Sequence, residues 1–244
     1  MKLITRLLGI ISLLFGAVFC NAQQLQDGAW NTYYGKIGAG EAQLCVYKFK
    51  DNSVKGNYVF KRLGKKVTVQ GLLKGNALLL TDAEDRSFKG NLFTDTVDKY
   101  NGEIVDSRTN QTLSFSFSLS TIAWGKYAHQ YTDVFGTDDE IEQFMAKIKN
   151  AIVNDDKEWI ASHLSYPFRF PPAFKSRRAY NKAEFLKYAG KVLTPALQNK
   201  VRDTYTTNLF VKNGEVMLGD GEVWITNTPN STKSKYGFSV IAIN

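Results

Sequence analysis

The residues best suited to acid–base chemistry lie in the last third of the chain. The stretch 213–226 contains three acidic residues and three glycines, and Glu222 is its last carboxylate. Asp203 and Tyr205 stand shortly before it, and His163 lies further upstream. Side chains of these types act as general acids and bases in enzymes. A small hydrolase or isomerase that uses Asp203 or Glu222 with Tyr205 and His163 is therefore one hypothesis, although no spacing requires these residues to meet.

Other catalytic and metal-binding patterns are missing from the sequence. The chain has two histidines, and neither an HxH nor an HExxH spacing links them. The acidic residues of 213–226 lack the alternating oxygen ligands of an EF-hand. There is no phosphate-binding glycine loop and no nucleophile elbow. The sequence thus predicts no metal site and no cofactor, and it favours a protein that is not an enzyme.

The glycines of the same stretch have a structural interpretation. Asn-Gly at 213–214, between two apolar runs, predicts a two-residue hairpin turn. The later glycines, Gly219 and Gly221, fall inside what reads as one long strand over 215–226. Such a strand must bend to fit a small domain, and glycine often marks the bend. The stretch is therefore predicted to be a kinked strand rather than a metal-binding loop.

Two residues of that strand are candidates for ligand binding. Glu222 and Trp224 are two positions apart, so on a strand they share one face. Glu222 and Trp224 are therefore the residues of this strand that we expect to contact a ligand. The alternative is that Glu222 is solvated and Trp224 belongs to the core.

A second candidate binding region is the segment YPFRFPPAFKSRR at 166–178. It mixes aromatic residues and prolines with cations, and Tyr166, Arg169, Arg177 and Arg178 are the residues that we expect to contact a partner or an acidic ligand. Binding residues are found disproportionately in loops of this kind. The alternative is a proline-stiffened link with a solvated basic end.

The composition is that of a globular protein with a net positive charge. The chain of 244 residues is 43% hydrophobic and 22% charged, and its formal charge is +8. The basic residues are scattered along the sequence, which argues against a nucleic-acid-binding protein. The charge instead favours a weak attraction to acidic surfaces.

The first 22 residues predict a secretory signal peptide. Lys2 and Arg6 precede an apolar run, and small residues allow cleavage after Ala22. The run is shorter than the roughly 20 residues of a membrane span, so we expect a mature chain without a span that is periplasmic or secreted. A lipid anchor at Cys20 is the less favoured alternative. Cleavage would leave Cys45 as the only cysteine, and hence no internal disulfide.

The periodicity of apolar residues divides the chain in two. Residues 25–122 read as seven or eight short strands separated by turns. Short connections imply antiparallel neighbours, and so many strands favour closure into a barrel. From residue 137 the period becomes helical, and strands return near the end. The sequence therefore predicts an antiparallel β-barrel-like meander at 25–122, a linker at 123–136 and an α+β domain at 137–244, with helices packed on a bent antiparallel sheet.

The second domain resembles the cystatin-like α+β cone, also called the nuclear-transport-factor-two-like superfamily. The segments NDDKEWIASHLSYPF, NKAEF and VMLGDGEVWI carry the resemblance. It implies a fold and a cavity inside the cone, in which related enzymes use Asp–His or Asp–Tyr pairs. The last helix and sheet are similar to those of a group of exported bacterial proteins. The first domain resembles, by its strands, a calycin-type or lipocalin-like small barrel.

These observations favour an exported, non-catalytic binding protein. Its partner would be an unknown small molecule, a cell-wall fragment or a periplasmic protein, and an antagonist of a toxin or hydrolase is one form that such a protein takes. The alternative is the small hydrolase or isomerase with an acidic residue in the cone cavity.

Overall fold

The computed structural model describes four stretches of the chain: residues 25–94, 97–175, 177–228 and 237–244. The predicted signal peptide at 1–22, with Cys20, lies outside the described residues. From residue 25 on, a β-barrel is followed by a unit of helices and small sheets.

Eight antiparallel strands form a closed barrel. Each strand pairs with the next, and the last pairs again with the first. The predicted antiparallel barrel is thereby confirmed, and its strands end at Trp124. The strands are β1 (Ala29–Ile37), β2 (Gly40–Lys48), β3 (Ser53–Phe60), β4 (Lys66–Lys74), β5 (Ala77–Asp82), β6 (Arg86–Thr94), β7 (Asp98–Asp106) and β8 (Gln111–Trp124).

Large side chains fill the inside of the barrel. Because side chains alternate between the two faces of a strand, one set from each strand points inward. That set includes the buried rings of Tyr58, Phe88 and Tyr100. Their polar atoms are paired: the Tyr100 hydroxyl donates to the Leu78 carbonyl at 2.9 Å, and the Tyr58 hydroxyl donates to the Asp82 carboxylate at 2.9 Å. The barrel interior is thus a packed core.

Part of the outer barrel surface is buried as well. Thr32 on β1, Gln43 and Cys45 on β2 and Asn57 on β3 point outward, and all four are buried. They are covered by the chain that follows β8 and by the second unit, and we call this region of contact the junction. Burial on both faces explains why β2 reads as an almost continuous run of buried residues.

Within the described residues, the second unit has five α-helices and one short 3₁₀ helix at Pro172–Phe174. The first begins after Thr137, whose side chain accepts from the Glu140 backbone while the Glu140 side chain accepts from the Thr137 backbone, a complete capping box. The predicted helical start at residue 137 is thereby confirmed. The helices are α1 (Asp138–Val153), α2 (Lys157–Ser162), α3 (Lys182–Leu186), α4 (Ala189–Val192) and α5 (Pro195–Arg202).

Six short strands form two small sheets. The first is a hairpin of β9 (Phe168–Arg169) and β10 (Arg178–Ala179). The second is a meander of four strands in chain order: β11 (Phe210–Lys212), β12 (Glu215–Leu218), β13 (Val223–Asn227) and β14 (Phe238–Ile243). With the helices, these strands make the later part of the chain a region of helices and small sheets, which is consistent with the predicted two-part layout.

The prediction of one long bent strand over 215–226 is wrong. The chain reverses there, because β12 pairs antiparallel with β13 and Leu218 lies opposite Val223. The turn 219–222 connects the two strands, and Gly219 adopts a φ of 68° in it. The other predicted turn is confirmed: 213–214 joins β11 to β12 as a two-residue hairpin.

The two faces of the four-stranded sheet differ. Val216, Ile225 and Val240 are fully buried in one apolar core with the helices. Met217 and Trp224 stand opposite each other on the other face and are half-buried. Trp224 therefore lies outside the helix–sheet core, and the space between helices and sheet is filled by side chains.

Candidate functional site

A buried amide network joins the barrel to the second unit. Asn208, in the loop before β11, donates through Nδ2 to Oδ1 of Asn57 at 2.8 Å and to Oε1 of Gln43 at 3.0 Å. Nε2 of Gln43 donates in return to the Asn208 carbonyl at 3.4 Å. Asn208 has a φ of 48°, a conformation that asparagine adopts more readily than most residues. Because these groups satisfy one another away from water, they fix how the two units meet.

A buried carboxylate lies beside this network. Glu142 on α1 accepts from the Tyr131 hydroxyl at 2.6 Å and from the Asn208 backbone at 2.9 Å. Its other oxygen is 2.6 Å from Nζ of Lys66 on β4. The Tyr131 hydroxyl also accepts from the backbone of Leu209 at 3.0 Å. Glu142 thus ties together α1, the segment after β8, the loop before β11 and the barrel.

The predicted linker, 123–136, is part of this contact. It begins inside β8, and both Gln130 and Tyr131 are buried. Tyr127 stacks on Trp30 of the barrel with the ring centroids 5.6 Å apart. The segment therefore packs against the barrel over much of its length, while the domain boundaries themselves stay a prediction.

Two adjoining clefts open at the edges of the junction, and we call them together the junction groove. The first, the basic cleft, has a volume of about 1010 Å³ and lies between the β1–β2 turn, the β3–β4 loop and helices α1 and α5. Four cations line it, against two carboxylates: Lys61, Arg62, Lys149 and Arg202, with Glu41 and Asp203. Phe60 and Leu63 add apolar surface. Its formal charge is therefore positive.

The second cleft, the acidic cleft, has a volume of about 630 Å³ and shares Asp203 with the first. Three carboxylates line it, against one cation: Asp203, Asp220 and Glu222, with Lys200. The barrel contributes Tyr34, Ser120 and Thr121, and the outer face of the sheet contributes Phe210 and Met217. The formal charge of this cleft is negative.

A β-bulge shapes the barrel wall of the acidic cleft. Thr32 pairs with Thr121, but the next residue, Tyr33, pairs with Leu119, so Ser120 is an extra residue in β8. A bulge bends the strand locally and redirects its side chains. Here it lets both Ser120 and Thr121 face the cleft.

Two tyrosines line the acidic cleft, Tyr34 from the barrel and Tyr205 from the second unit. The rings of Tyr34 and Tyr205 have centroids 5.4 Å apart, and Nζ of Lys61 lies 6.0 Å from the Tyr205 ring. Burial raises the pKa of the Tyr205 phenol to about 12, and the charge of Glu41 adds to the shift. Burial also raises the pKa of the Tyr34 phenol, although the hydrogen bond from Gln43 lowers it in part. Both phenols are therefore neutral near pH 7.

The ammonium of Lys149 lies at the back of the basic cleft. Its Nζ donates to the Thr204 carbonyl at 2.6 Å. Loss of hydration lowers the pKa of Lys149, and the charge of Asp203 opposes this effect. This lysine therefore helps to hold the end of α5 against α1 as well as lining the cleft.

Of the predicted binding pair, Glu222 lines the acidic cleft, whereas Trp224 packs behind a residue that lines it. Glu222 lines the acidic cleft from the 219–222 turn, and its side chain is only 11% exposed. Oε2 accepts from the Asp220 backbone at 2.6 Å, and Oε1 is 3.6 Å from Nζ of Lys200. Trp224 packs edge-on against Phe210, which lines the cleft, with centroids 6.4 Å apart.

The predicted catalytic set is only partly assembled. Asp203 and Tyr205 line the same cleft as Glu222. His163 is not among the residues that line it. Its ring stacks on Trp159 at 3.8 Å, and its Nδ1 donates to the Trp159 carbonyl at 2.7 Å. His163 thus packs at the end of α2.

The four residues predicted to contact a partner at the second candidate region are not among those that line the groove. Tyr166 is half-buried, and its hydroxyl donates to the Ala161 carbonyl at 2.7 Å. Arg169 and Arg178 are exposed and stand directly opposite each other on β9 and β10. Arg177 lies over the Tyr188 ring at 4.6 Å and donates to its hydroxyl at 2.5 Å. The cations predicted to contact a partner are therefore clustered on one hairpin.

The described residues offer neither a metal cluster nor a membrane-spanning helix. Among them, no group of three or more histidine, cysteine or acidic side chains is arranged to hold a metal ion. Within the same part of the chain, no helix has both the length and the apolar character needed to cross a membrane.

Several residues of the groove carry no signal in the sequence. Tyr34 and Ser120 belong to two barrel strands, and Lys61 and Arg62 belong to the β3–β4 loop. Only the closure of the barrel and the docking of the second unit bring them beside Asp203. The one signal that pointed to the groove was the group of polar residues near the chain end.

No protein-family model matches the chain, and no curated protein sequence does either. Among solved structures, matches cover 37–41% of this chain. Apo shwanavidin is 14% identical, covers 41% of this chain and 99% of its own, and gives a TM-score of 0.33. The rhizavidin–biotin complex is 9% identical, with coverages of 39% and 95% and a TM-score of 0.33. Apo short afifavidin is 22% identical, with coverages of 37% and 95% and a TM-score of 0.28.

The two resemblances noted in the sequence have different outcomes. The small barrel expected for the first half is present as a closed eight-stranded barrel, while its calycin-type or lipocalin-like relationship stays a prediction. The cystatin-like resemblance of the second half stays a prediction.

Proposed function

We propose that this chain is a non-catalytic binding protein whose ligand occupies the junction groove. The observation that carries the proposal is a groove built from both units beside a buried polar network that fixes their arrangement. Ligand sites occur preferentially at domain interfaces, with volumes of roughly 300–1,000 Å³. A groove whose walls are held in place binds at a lower entropic cost than one that must be assembled.

The chemistry of the groove supports binding over catalysis. An efficient general acid or base has a pKa near the working pH. The pKa of Tyr205 is about 12, far from that range, and the one histidine of the predicted set packs elsewhere. A hydrolase or isomerase based on Asp203, Tyr205 and Glu222 remains the alternative, and it would have to work without His163.

The test of the binding function is a screen with cleft-filling variants. We expect ligand-observed NMR with a library of small organic acids, amines and zwitterions to find molecules that bind the parent. Ser120→Trp fills the acidic cleft from an exposed position of β8. Ala39→Trp fills the basic cleft from an exposed position of the β1–β2 turn. Thr112→Trp, at an exposed position of the same strand that lines neither cleft, is the matched control.

Binding should be lost in at least one cleft-filling variant and kept in Thr112→Trp. Ligands that bind all three variants equally would place the site elsewhere and refute the proposal. A library without any binder to the parent would also count against it.

A second candidate function is the capture of an acidic partner, such as a cell-wall fragment or a periplasmic protein, by the β9–β10 hairpin. Like charges directly opposite each other destabilise a strand pair, so the exposed Arg169–Arg178 pair favours an external anion. Poly-L-glutamate should bind the parent in fluorescence anisotropy and lose affinity in Arg169→Gln/Arg178→Gln. Equal loss in Lys50→Gln/Lys74→Gln, which removes two exposed cations of the barrel, would show a non-specific charge effect.

Export is part of the proposal. The n-region, apolar run and small residues at 20–22 support a cleaved leader and a periplasmic or secreted chain. N-terminal sequencing of the extracytoplasmic protein should begin near Gln23. A chain that begins at Met1, or one with a lipid on Cys20, would refute this part.

A further inference from the structure

We infer that the junction groove takes a short zwitterionic peptide, with its ammonium end in the acidic cleft and its carboxylate end in the basic cleft. This inference deepens the proposed binding function and rests on it. Two features of the groove carry it: the opposite charges of the adjoining clefts, and their combined size.

The basic cleft offers cations that the chain itself does not neutralise. Lys61 is paired with Glu41 at 2.7 Å. Arg62 and Arg202 are exposed, and neither has a carboxylate within 4.0 Å in the described part of the chain. A guanidinium fork matches a carboxylate with two parallel hydrogen bonds. These two arginines are therefore suited to the carboxylate end of a ligand.

The acidic cleft offers the complementary surface. Asp203 stands on the shared edge and Asp220 is exposed in the 219–222 turn, and neither forms an ion pair among the described residues. The single cation of the lining, Lys200, reaches Glu222 only at 3.6 Å. Tyr34 adds an aromatic ring to the same lining, and an ammonium is attracted to the face of such a ring. This cleft is suited to the cationic end of a ligand.

The size of the groove selects a chain-like ligand. The clefts of about 1010 and 630 Å³ meet at Asp203, and each alone is within or near the range of a site for a drug-sized molecule. A ligand that reaches both charged regions must extend across the shared edge at Asp203. Apolar residues border both clefts, Phe60 and Leu63 on one side and Phe210 and Met217 on the other. A peptide combines charged ends with a polar backbone and apolar side chains between them.

The test uses one peptide in four forms. Ala-Phe-Leu-Ala with free ends, its N-acetyl form, its C-amide form and the doubly capped form are titrated into the mature chain by calorimetry. The free form should bind most tightly. Each cap should weaken binding by about tenfold, which is the lower end of the effect of one charge-assisted hydrogen bond.

Charge variants assign each end of the peptide to its cleft. In Arg202→Gln, the C-amide cap should no longer weaken binding of the peptide, while the N-acetyl cap should still weaken it. In Asp220→Asn, the N-acetyl cap should no longer weaken binding, while the C-amide cap should still weaken it. Lys89→Gln removes an exposed cation of β6 outside the groove lining and should leave the order of all four forms unchanged. A merely misfolded variant would weaken all forms together, so it would not reproduce the exchange of penalties.

The outcomes separate this inference from the binding function. If the doubly capped peptide binds as tightly as the free one, the inference that the groove recognises both charged ends is wrong, and the groove binds peptides by apolar contact. If no form binds while the small-molecule screen finds ligands that Ser120→Trp blocks, the inference fails and the binding function stands. If neither experiment finds a ligand in the groove, both fail.

Discussion

Replacing Glu142 by glutamine should weaken the junction more than any single exposed charge does. Glu142 is buried, and it receives hydrogen bonds from the Tyr131 hydroxyl and the Asn208 backbone and an ion pair from Lys66. Glutamine keeps the shape and one acceptor oxygen. It removes the charge, however, and turns an amide donor toward the Lys66 ammonium.

The size of the effect follows from these contacts. Hydrogen bonds to a charged group contribute about 1.5–3 kcal/mol each, against about 0.5–1.5 kcal/mol for neutral partners. Two bonds should therefore lose about 2 kcal/mol together. Breaking a fully buried ion pair costs about 3–5 kcal/mol, but the Lys66 side chain is 28% exposed and can turn toward water. We expect a total of about 3 kcal/mol, or about 6–12 °C in Tm for a chain of this size.

The assay is thermal unfolding followed by circular dichroism, with Glu41→Gln as the matched control. Glu41 also pairs with a lysine, at 2.7 Å, but its side chain is 55% exposed. Exposed pairs of this kind contribute little, so the control should unfold with the parent. Adding Lys66→Met to Glu142→Gln should restore part of the lost Tm, because it removes the unpaired cation. Equal melting curves for Glu142→Gln and Glu41→Gln would refute the reasoning.

Three further predictions concern the turn, the thiol and the phenols. Gly219→Ala should lower the free energy of unfolding in urea by about 1–3 kcal/mol, which is more than Gly75→Ala should. Both glycines have positive φ, but of the two only a Cβ at Gly219 would meet neighbours, among them Glu222. Equal costs for the two variants would show that crowding in the 219–222 turn plays no part. In a Cys20→Ser background, Cys45 should react with Ellman's reagent at pH 8 only after unfolding, because burial raises its pKa to about 12; rapid labelling of the folded protein would contradict this. From neutral pH upward, the free energy of unfolding should begin to fall near pH 9 and fall more steeply above pH 10. Burial raises the pKa of the Cys45 thiol above 9.0 and those of the phenols above 10.0 in the folded state only, which favours the unfolded thiolate and phenolates at high pH. A flat profile to pH 12 in pH-dependent urea unfolding would contradict it. The phenols concerned are those of Tyr33, Tyr34, Tyr58, Tyr100, Tyr131, Tyr166 and Tyr205.

The barrel could be predicted because its determinants are local. Alternating residues such as those of β8 fix the strand faces, and short turns fix antiparallel pairing. The start of α1 could be predicted for the same reason, since Thr137 and Glu140 form their capping box within one turn. Each of these features depends on residues that are close together in the chain.

The turn at 219–222 shows where local signals are ambiguous. The buried positions change from 216 and 218 to 223 and 225, a switch from even to odd numbers. A bulge in one strand and a tight turn between two strands both produce that switch. The glycines suit either one. Only the pairing of Leu218 with Val223, which places two segments side by side, decides for the turn.

The groove could not be predicted because it depends on contacts between distant parts of the chain. Asp203, Tyr205 and Glu222 were singled out by residue type, and the structure brings them to one cleft. The opposite wall comes from Tyr34 and from the bulge at Ser120, and neither position has an unusual residue type. Their role appears only once the second unit is docked against the barrel.

The location of the groove follows from how the two units fill their interiors. The barrel is occupied by rings such as Tyr58, Phe88 and Tyr100, and the space between the helices and the sheet is occupied by one continuous apolar core. Two filled, convex bodies touch over a limited area and leave space around its rim. Here the centre of the contact is closed by the amides of Asn208 and its partners and by Glu142, whose polar groups leave little freedom in the angle between the units. The clefts at the rim therefore have walls that belong to different units but keep a fixed separation. A binding site requires walls held in this way, and neither unit provides them alone.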